Sequence, residues 1–217
     1  HRRIVQKLVH YLASIEYWHD RDSGMWEEDE EVHASSVGAC VAGLKSIQHV
    51  PGIVVPRELI EHGERSLRAL LPRESERKFV DLSLLSLIWP YRVVTATERT
   101  QILEHVEYHL RRARGIIRYK GDRYYNKNED QVSEEAEWTF GLAWLAIIYK
   151  EMGLTEKAND VLKDLIAIDT EHGLPELYFS NSPEYNANTP LGWSESLFIV
   201  ALCEMSERKI EEDKKTI

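Results

Sequence analysis

The chain is poor in sulfur and in positive charge. Its 217 residues hold three methionines and two cysteines, Cys40 and Cys203. Each cysteine sits inside an apolar helical pattern, so both read as free thiols, with no disulfide framework and no metal-ligand spacing. Lys and Arg together number 27 against 37 Asp and Glu, a formal net charge of −10. That balance works against a phosphate-backbone partner. The one notable basic cluster, Arg111, Arg112 and Arg114, suits a helix end better than a nucleic-acid face. No apolar run approaches the ~18 residues of a membrane span, and no stretch reads as a secretory signal. The low cysteine count suits a cytoplasmic setting. Strand-like alternation is missing too, which excludes most β classes.

What remains is helical, and the helices come in two kinds. About eight are readable: roughly 2–18, 34–49, one from Pro56, 79–89, one capped by Thr97, 135–151, one from Thr155, and 190–205. The first, third, fifth and seventh carry one apolar stripe and one charged face. In the first, Ile4, Val5, Leu8, Val9, Leu12 and Ile15 form the stripe. The second, fourth, sixth and eighth are apolar or small nearly all round, which implies burial on more than one side. Ser35 or Ser36 is the expected cap of the second, whose Gly38, Ala39, Ala42 and Gly43 permit close helix approach. Such alternation predicts an all-α fold of outer and inner antiparallel helices, a partial toroid over 1–205 with a charged tail at 206–217. No constant repeat motif supports a helical-repeat array instead.

The loops are unequal. Connections into the even helices are long (19–33, 72–78, 115–134, 171–190), while those out of them are mostly short and carry breakers, as at Pro51-Gly52 and Met152-Gly153. Long loops would then gather on one rim, a usual place for function. Two of them are acidic and lead into apolar helices. One reads Asp22-Ser23-Gly24-Met25-Trp26-Glu27-Glu28, then His33. The other reads Gly173-Leu174-Pro175-Glu176, then Pro190-Leu191-Gly192-Trp193-Ser194. Cleaving an acetal between sugars takes one carboxyl to protonate the leaving oxygen and another to activate water. Each loop offers one, beside tryptophans of the kind sugars stack on. Plain structural roles stay open for all of them: solvated acids, packing tryptophans, His33 bonding a loop carbonyl or capping a helix, and Asp81 as a cap.

These segments resemble the glucoamylase family of inverting α-glycosidases, glycoside hydrolase family 15. Asp22–Glu28 is similar to the family's acid loop. Tyr124-Tyr125-Asn126, followed by Glu137-Trp138 and Trp144-Leu145, is similar to its substrate loop and next helix. Leu174-Pro175-Glu176 with Pro190–Ser194 is similar to the stretch around the catalytic base. The resemblance runs from about residue 4 to about 204 and implies an (α/α)6 barrel. It implies Glu27 as general acid and Glu176 as general base, with Trp26, Glu28, Trp138, Glu137 and Tyr125 binding substrate and neither metal nor cofactor required. Departures are Asp29-Glu30-Glu31 where glycine is usual, Lys127–Gln131 in place of a glycine-rich approach, and Leu177 where glutamine is common.

The implied activity is inverting hydrolysis of α-linked glucans, oligosaccharides or trehalose-type disaccharides. The alternative is a catalytically silent, carbohydrate-sensing or scaffolding domain, as in phosphorylase kinase regulatory subunits. Eight helices fall short of the family's dozen. Self-association or a missing N-terminal segment is therefore expected to cover the open side.

Overall fold

A computed structural model describes residues 1–125 and 135–215, with side chains to Ser206. Asn126 and the 127–131 acid-rich stretch lie outside the described residues. The elements are α1 (Arg2–Ser14), α2 (Ala34–Ile47), α3 (Arg57–Leu70), a 3-10 turn (Leu82–Leu84), α4 (Leu85–Ile88), α5 (Ala96–Leu110), β1 (Glu137–Trp138), α6 (Phe140–Glu151), α7 (Thr155–Ala167), β2 (Leu177–Tyr178) and α8 (Gly192–Lys215). They form two compact units, His1–His105 and Val106–Ile217, with the boundary inside α5.

In the first unit α2 packs against α3, α4 and the 3-10 turn. Small residues make this approach close. A Cβ on Gly63 of α3 would lie 2.1 Å from the Tyr17 hydroxyl oxygen and 2.6 Å from a Val41 methyl, and one on Gly38 would lie 2.1 Å from a Leu87 methyl. Tyr17 in turn donates to the Leu59 carbonyl at 2.9 Å. The all-apolar segment expected as one helix over 79–89 is divided. Asp81, in extended backbone, caps the 3-10 turn by accepting from the Ser83 amide, and α4 ends at Trp89, extended ahead of Pro90.

Three helix starts differ from expectation. The cap of α2 is His33 by position, not Ser35 or Ser36, and no local side chain caps it. The Glu74 carboxylate does that work from 39 residues away, accepting from the Ser35 amide at 3.3 and 3.2 Å and its hydroxyl at 2.5 Å. α5 is opened by Thr95, not Thr97. Thr95 and Glu98 exchange bonds in a capping box, Glu98 amide to Thr95 hydroxyl at 3.3 Å and Thr95 amide to Glu98 carboxylate at 2.7 Å. The sixth helix begins at Phe140, and the residues before it belong to β1. Those two residues pair with β2, Glu137 with Tyr178 and Trp138 with Leu177. Two-residue strands leave no periodic signal to read.

In the second unit α6 is the core. Every residue from Phe140 to Lys150 is buried, and α7 and α8 pack against it. Burying its large apolar side chains contributes roughly 1.5–3 kcal/mol each. The inner–outer alternation is strong here and weaker at the chain's two end helices. On α8, Leu197 and Ala201 are buried, but Trp193, Ile199 and Leu202 are exposed. On α1, Val9 is buried while Ile4, Leu8 and Tyr11 are exposed. The charged stretch expected as a tail continues α8 to Lys215.

Candidate active site

The acid loop is closed at its base by paired backbone bonds between Asp22 and Glu31, each 3.0 Å. Inside it Asp22 makes a short turn, accepting from the Gly24 amide at 2.6 Å and from the Ser36 hydroxyl at 2.9 Å. Gly24 sits at φ +65 with the His33 ring where a Cβ would project, 2.8 Å away. Only glycine fits that position. Glu27 itself has φ +55, a left-handed backbone that costs a non-glycine residue energy and is enriched at functional sites. Its side chain is exposed.

Its neighbours are tied down. The Trp26 indole N–H donates to both oxygens of Asp81, at 2.9 and 3.1 Å. Lys78 donates to Glu28 at 3.1 Å. Asp81 is 0% exposed. Burial, followed by the negative charge of Glu74, pushes its carboxyl up to about 7, against the pull of Ser83 and Lys78. His33 contacts the Asp29 carbonyl at 3.2 Å through one ring nitrogen and Glu74 at 3.4 Å through the other. Of the two roles open to it, His33 bonds the loop carbonyl with its side chain, while it caps α2 by backbone position alone. A cavity of about 210 Å³ beside the loop is lined by Gly24, Met25, Ser35, Ser36, Ala39 and Tyr91.

The second unit gathers Glu176, Trp138 and Tyr125. Glu176 precedes β2 and is half-buried. Its backbone is held on both sides, by the Asn188 carbonyl at 3.0 Å and by the Thr139 amide at 3.3 Å. Its carboxylate takes the amide groups of Asn186 at 2.5 Å and Asn188 at 2.7 Å, both on Oε2. Neither bond uses Oε1. Asn188 also reaches the Tyr125 hydroxyl at 3.5 Å. Behind the loop, Thr139 donates to the Pro175 carbonyl at 2.5 Å and contacts the Ser194 hydroxyl at 2.8 Å.

Trp138 is 5% exposed and its indole nitrogen has no partner among the described residues. Tyr124 stacks on it at 6.0 Å and 16°. The Arg118 guanidinium lies 5.0 Å from both ring centres, clamped by two 2.7 Å bonds to Asp122. Burial first, then Tyr125 and Glu176, raises the Tyr124 hydroxyl above the ordinary tyrosine value. Glu137, expected to meet substrate, is 1% exposed. Its oxygens accept from the backbone amides of Arg114 at 2.6 Å and Asn181 at 3.2 Å. Trp193, on the helix whose apolar residues imply burial on more than one side, is 40% exposed and stacks on Phe140 at 4.2 Å and 7°.

Sequence reasoning missed Asn186, Asn188, Arg118 and Asp122, and saw Asp81 only as a cap. The Arg118–Asp122 spacing of four was a usable signal. The asparagines, ten and twelve residues after the acid they hold, offered none.

The fold of this all-α chain is shared by solved structures. A solved structure titled glycosidase, wild type, aligns at TM-score 0.71 and 21% identity, over 91% of this chain and 58% of its own. The all-α fold class expected from the sequence is thus the one observed, and it is like that of this glycosidase. Among curated proteins, the probable phosphorylase b kinase regulatory subunit alpha of Caenorhabditis elegans is 27% identical over 90% of this chain and 20% of its own length. An uncharacterized glycosyl hydrolase of Methanocaldococcus jannaschii is 22% identical over 92% of this chain and 37% of its own. The chain therefore spans about a fifth to two-fifths of these relatives. No protein-family model matches it. Among the described residues, no helix is long and apolar enough to cross a membrane.

Proposed function

We propose that this chain is a glucoamylase-like α-glycosidase domain that cleaves α-linked glucans, oligosaccharides or trehalose-type disaccharides with inversion. The observation that carries the reading is how Glu176 is held. Two side-chain amides fix one carboxylate oxygen, and a carboxylate fixed that way can aim its other oxygen at a water. That is the demand on a general base. Glu27 is the general acid, presented by a turn whose flanking residues are tethered while its own side chain is exposed. The acid protonates the departing glycosidic oxygen, and the base takes a proton from the water attacking the anomeric carbon from the opposite face.

Trp26 and Glu28 border the acid in this reading, and Tyr125 borders the base. The indole N–H of Trp138, buried without an acceptor among the described residues, is a donor for a sugar hydroxyl. Glu137, engaged by two amides, serves by holding the loops beside Trp138. Incubation with maltooligosaccharides and trehalose, followed by NMR of the fresh product, tests the reaction. β-Glucose is expected, and α-glucose as first product would exclude inversion.

A second reading is a silent sensor or scaffold. The likeness to a kinase regulatory subunit favours it. Acarbose binding with no turnover of any glucan would select it over the first.

A further inference from the structure

The Glu27 side chain is exposed and makes no hydrogen bond or ion pair among the described residues, yet the residues on either side of it are both fastened to one short segment. Trp26 donates its indole N–H to Asp81 at 2.9 and 3.1 Å. Glu28 accepts from Lys78 at 3.1 Å, and the same ammonium lies 4.0 Å from Asp81. Lys78 and Asp81 are three residues apart, so the turn is gripped at two points, one before Glu27 and one after it. Between those points the backbone is left-handed, with φ +55 at Glu27. Backbone held in that region persists only where its surroundings impose it.

We propose that Asp81 is the positioning residue of the acid loop: acting through Trp26 directly and through Lys78 to Glu28, it sets the direction of the Glu27 carboxyl. The proposal rests on Glu27 being the general acid and adds a residue 54 positions away in sequence to that role.

Three features single out Asp81 from an ordinary helix cap. Its carboxylate does more than close the 3-10 turn. The Ser83 amide uses Oδ1 at 2.8 Å, while the indole spans both oxygens. It is 0% exposed, so a charge there is unfavourable unless neighbours compensate it. The compensation is partial. Ser83 and Lys78 favour the carboxylate, while burial and Glu74 oppose it and bring its titration to about 7. Glu74 is itself occupied by Ser35 and His33, and Glu28 faces Lys78 from the loop.

Because its folded pKa lies above the unfolded value of about 3.9, Asp81 makes the protein less stable as pH rises through that interval. An acid at this buried position fits a positional duty, since an ionised acceptor grips an indole N–H more firmly than a neutral one.

The test uses the whole chain and two readouts, one of them independent of turnover. In the ¹⁵N spectrum the Trp26 indole signal, identified by its loss in Trp26→Phe, should shift with a midpoint near pH 7 and be flat in Asp81→Asn. The Glu27 carboxyl signal should move in the same variant. On maltooligosaccharides Asp81→Asn should lower kcat on the order of 10- to 100-fold, the cost of misaiming a reacting group, with KM within about twofold. Its melting temperature near pH 8 should be no lower than wild type.

Trp26→Phe should reproduce the kcat loss, and the double variant should lose no more than the worse single one. An unmoved Glu27 signal, additive losses, or full kcat in Asp81→Asn overturns the proposal. If wild type cleaves no glycoside, the glycosidase reading falls, and the indole and Glu27 signals still decide whether Asp81 grips the loop. Should Asp81→Asn fail to fold, Trp26→Phe carries the decision, with kcat and the Glu27 carboxyl signal as its readouts.

Discussion

The acid loop and the base loop hold their glutamates by opposite means. Glu176 is gripped directly, by two asparagine amides on its carboxylate and by backbone bonds on both sides. Glu27 is held by its amide's bond to the Gly24 carbonyl and by the tethers on Trp26 and Glu28, while its own carboxyl is exposed. The difference matches what the two proposed tasks need. A base that orders one water gains from a fixed oxygen. An acid that must meet leaving groups of varied shape gains from a fixed backbone and a free side chain.

The comparison can be broken most sharply at the glutamates. Glu27→Gln and Glu176→Gln should each lower kcat on maltooligosaccharides by about 10²–10⁴-fold. They should part on α-glucosyl fluoride, whose leaving group needs no proton. Glu27→Gln should regain most of its rate there, and Glu176→Gln should not. Equal rescue of both would erase the distinction.

A smaller effect is expected from the holders. Asn188→Ala should cost roughly tenfold in kcat, as a misaimed group does. Ser36→Ala, which loosens the acid loop at Asp22 without touching Trp26 or Glu28, should cost less. Steady-state kinetics on one substrate decides the order.

Stability separates the units as well. Gly63→Ala should destabilise the first unit by about 1–3 kcal/mol through overpacking on Tyr17 and Val41, read from urea melts. Gly115→Ala should be at least as severe, because its Cβ would meet the Glu137 backbone at 2.6 Å, which cannot rotate away.

His33 supplies a pH dependence. Burial opposes its charge, but Glu74 and the Asp29 carbonyl outweigh that and hold its pKa above the ordinary histidine value. Its contribution is complete below the unfolded pKa of about 6.5 and fades as pH rises through the folded one. His33→Gln should therefore lower the melting temperature more at about pH 5.5 than at about pH 8.5. Smallest of all, Thr95→Ala should cost about 1 kcal/mol, a lost cap.

The sequence disclosed the helices because burial repeats every few residues, and the acidic loops because charge beside tryptophan stands out. Long-range partnerships left no such trace. Glu74 caps α2 from another loop, and Asp81 meets Trp26 across 55 positions. Trp138 was placed in a helix because two-residue strands have no period, and the exposure of Trp193 and Ile199 on α8 reverses what an apolar sequence implies. Tertiary position decided each of these.

Glu137 reads peptide groups, not side chains. Its two oxygens hold the amides of Arg114 and Asn181, so mutational drift at those positions is invisible to it unless proline removes the N–H. Asn181, at φ +52, further favours small or amide residues. The neighbourhood of Trp138 can thus change its chemistry at both flanks, and evolve new preferences, while its scaffold stays fastened by a single carboxylate.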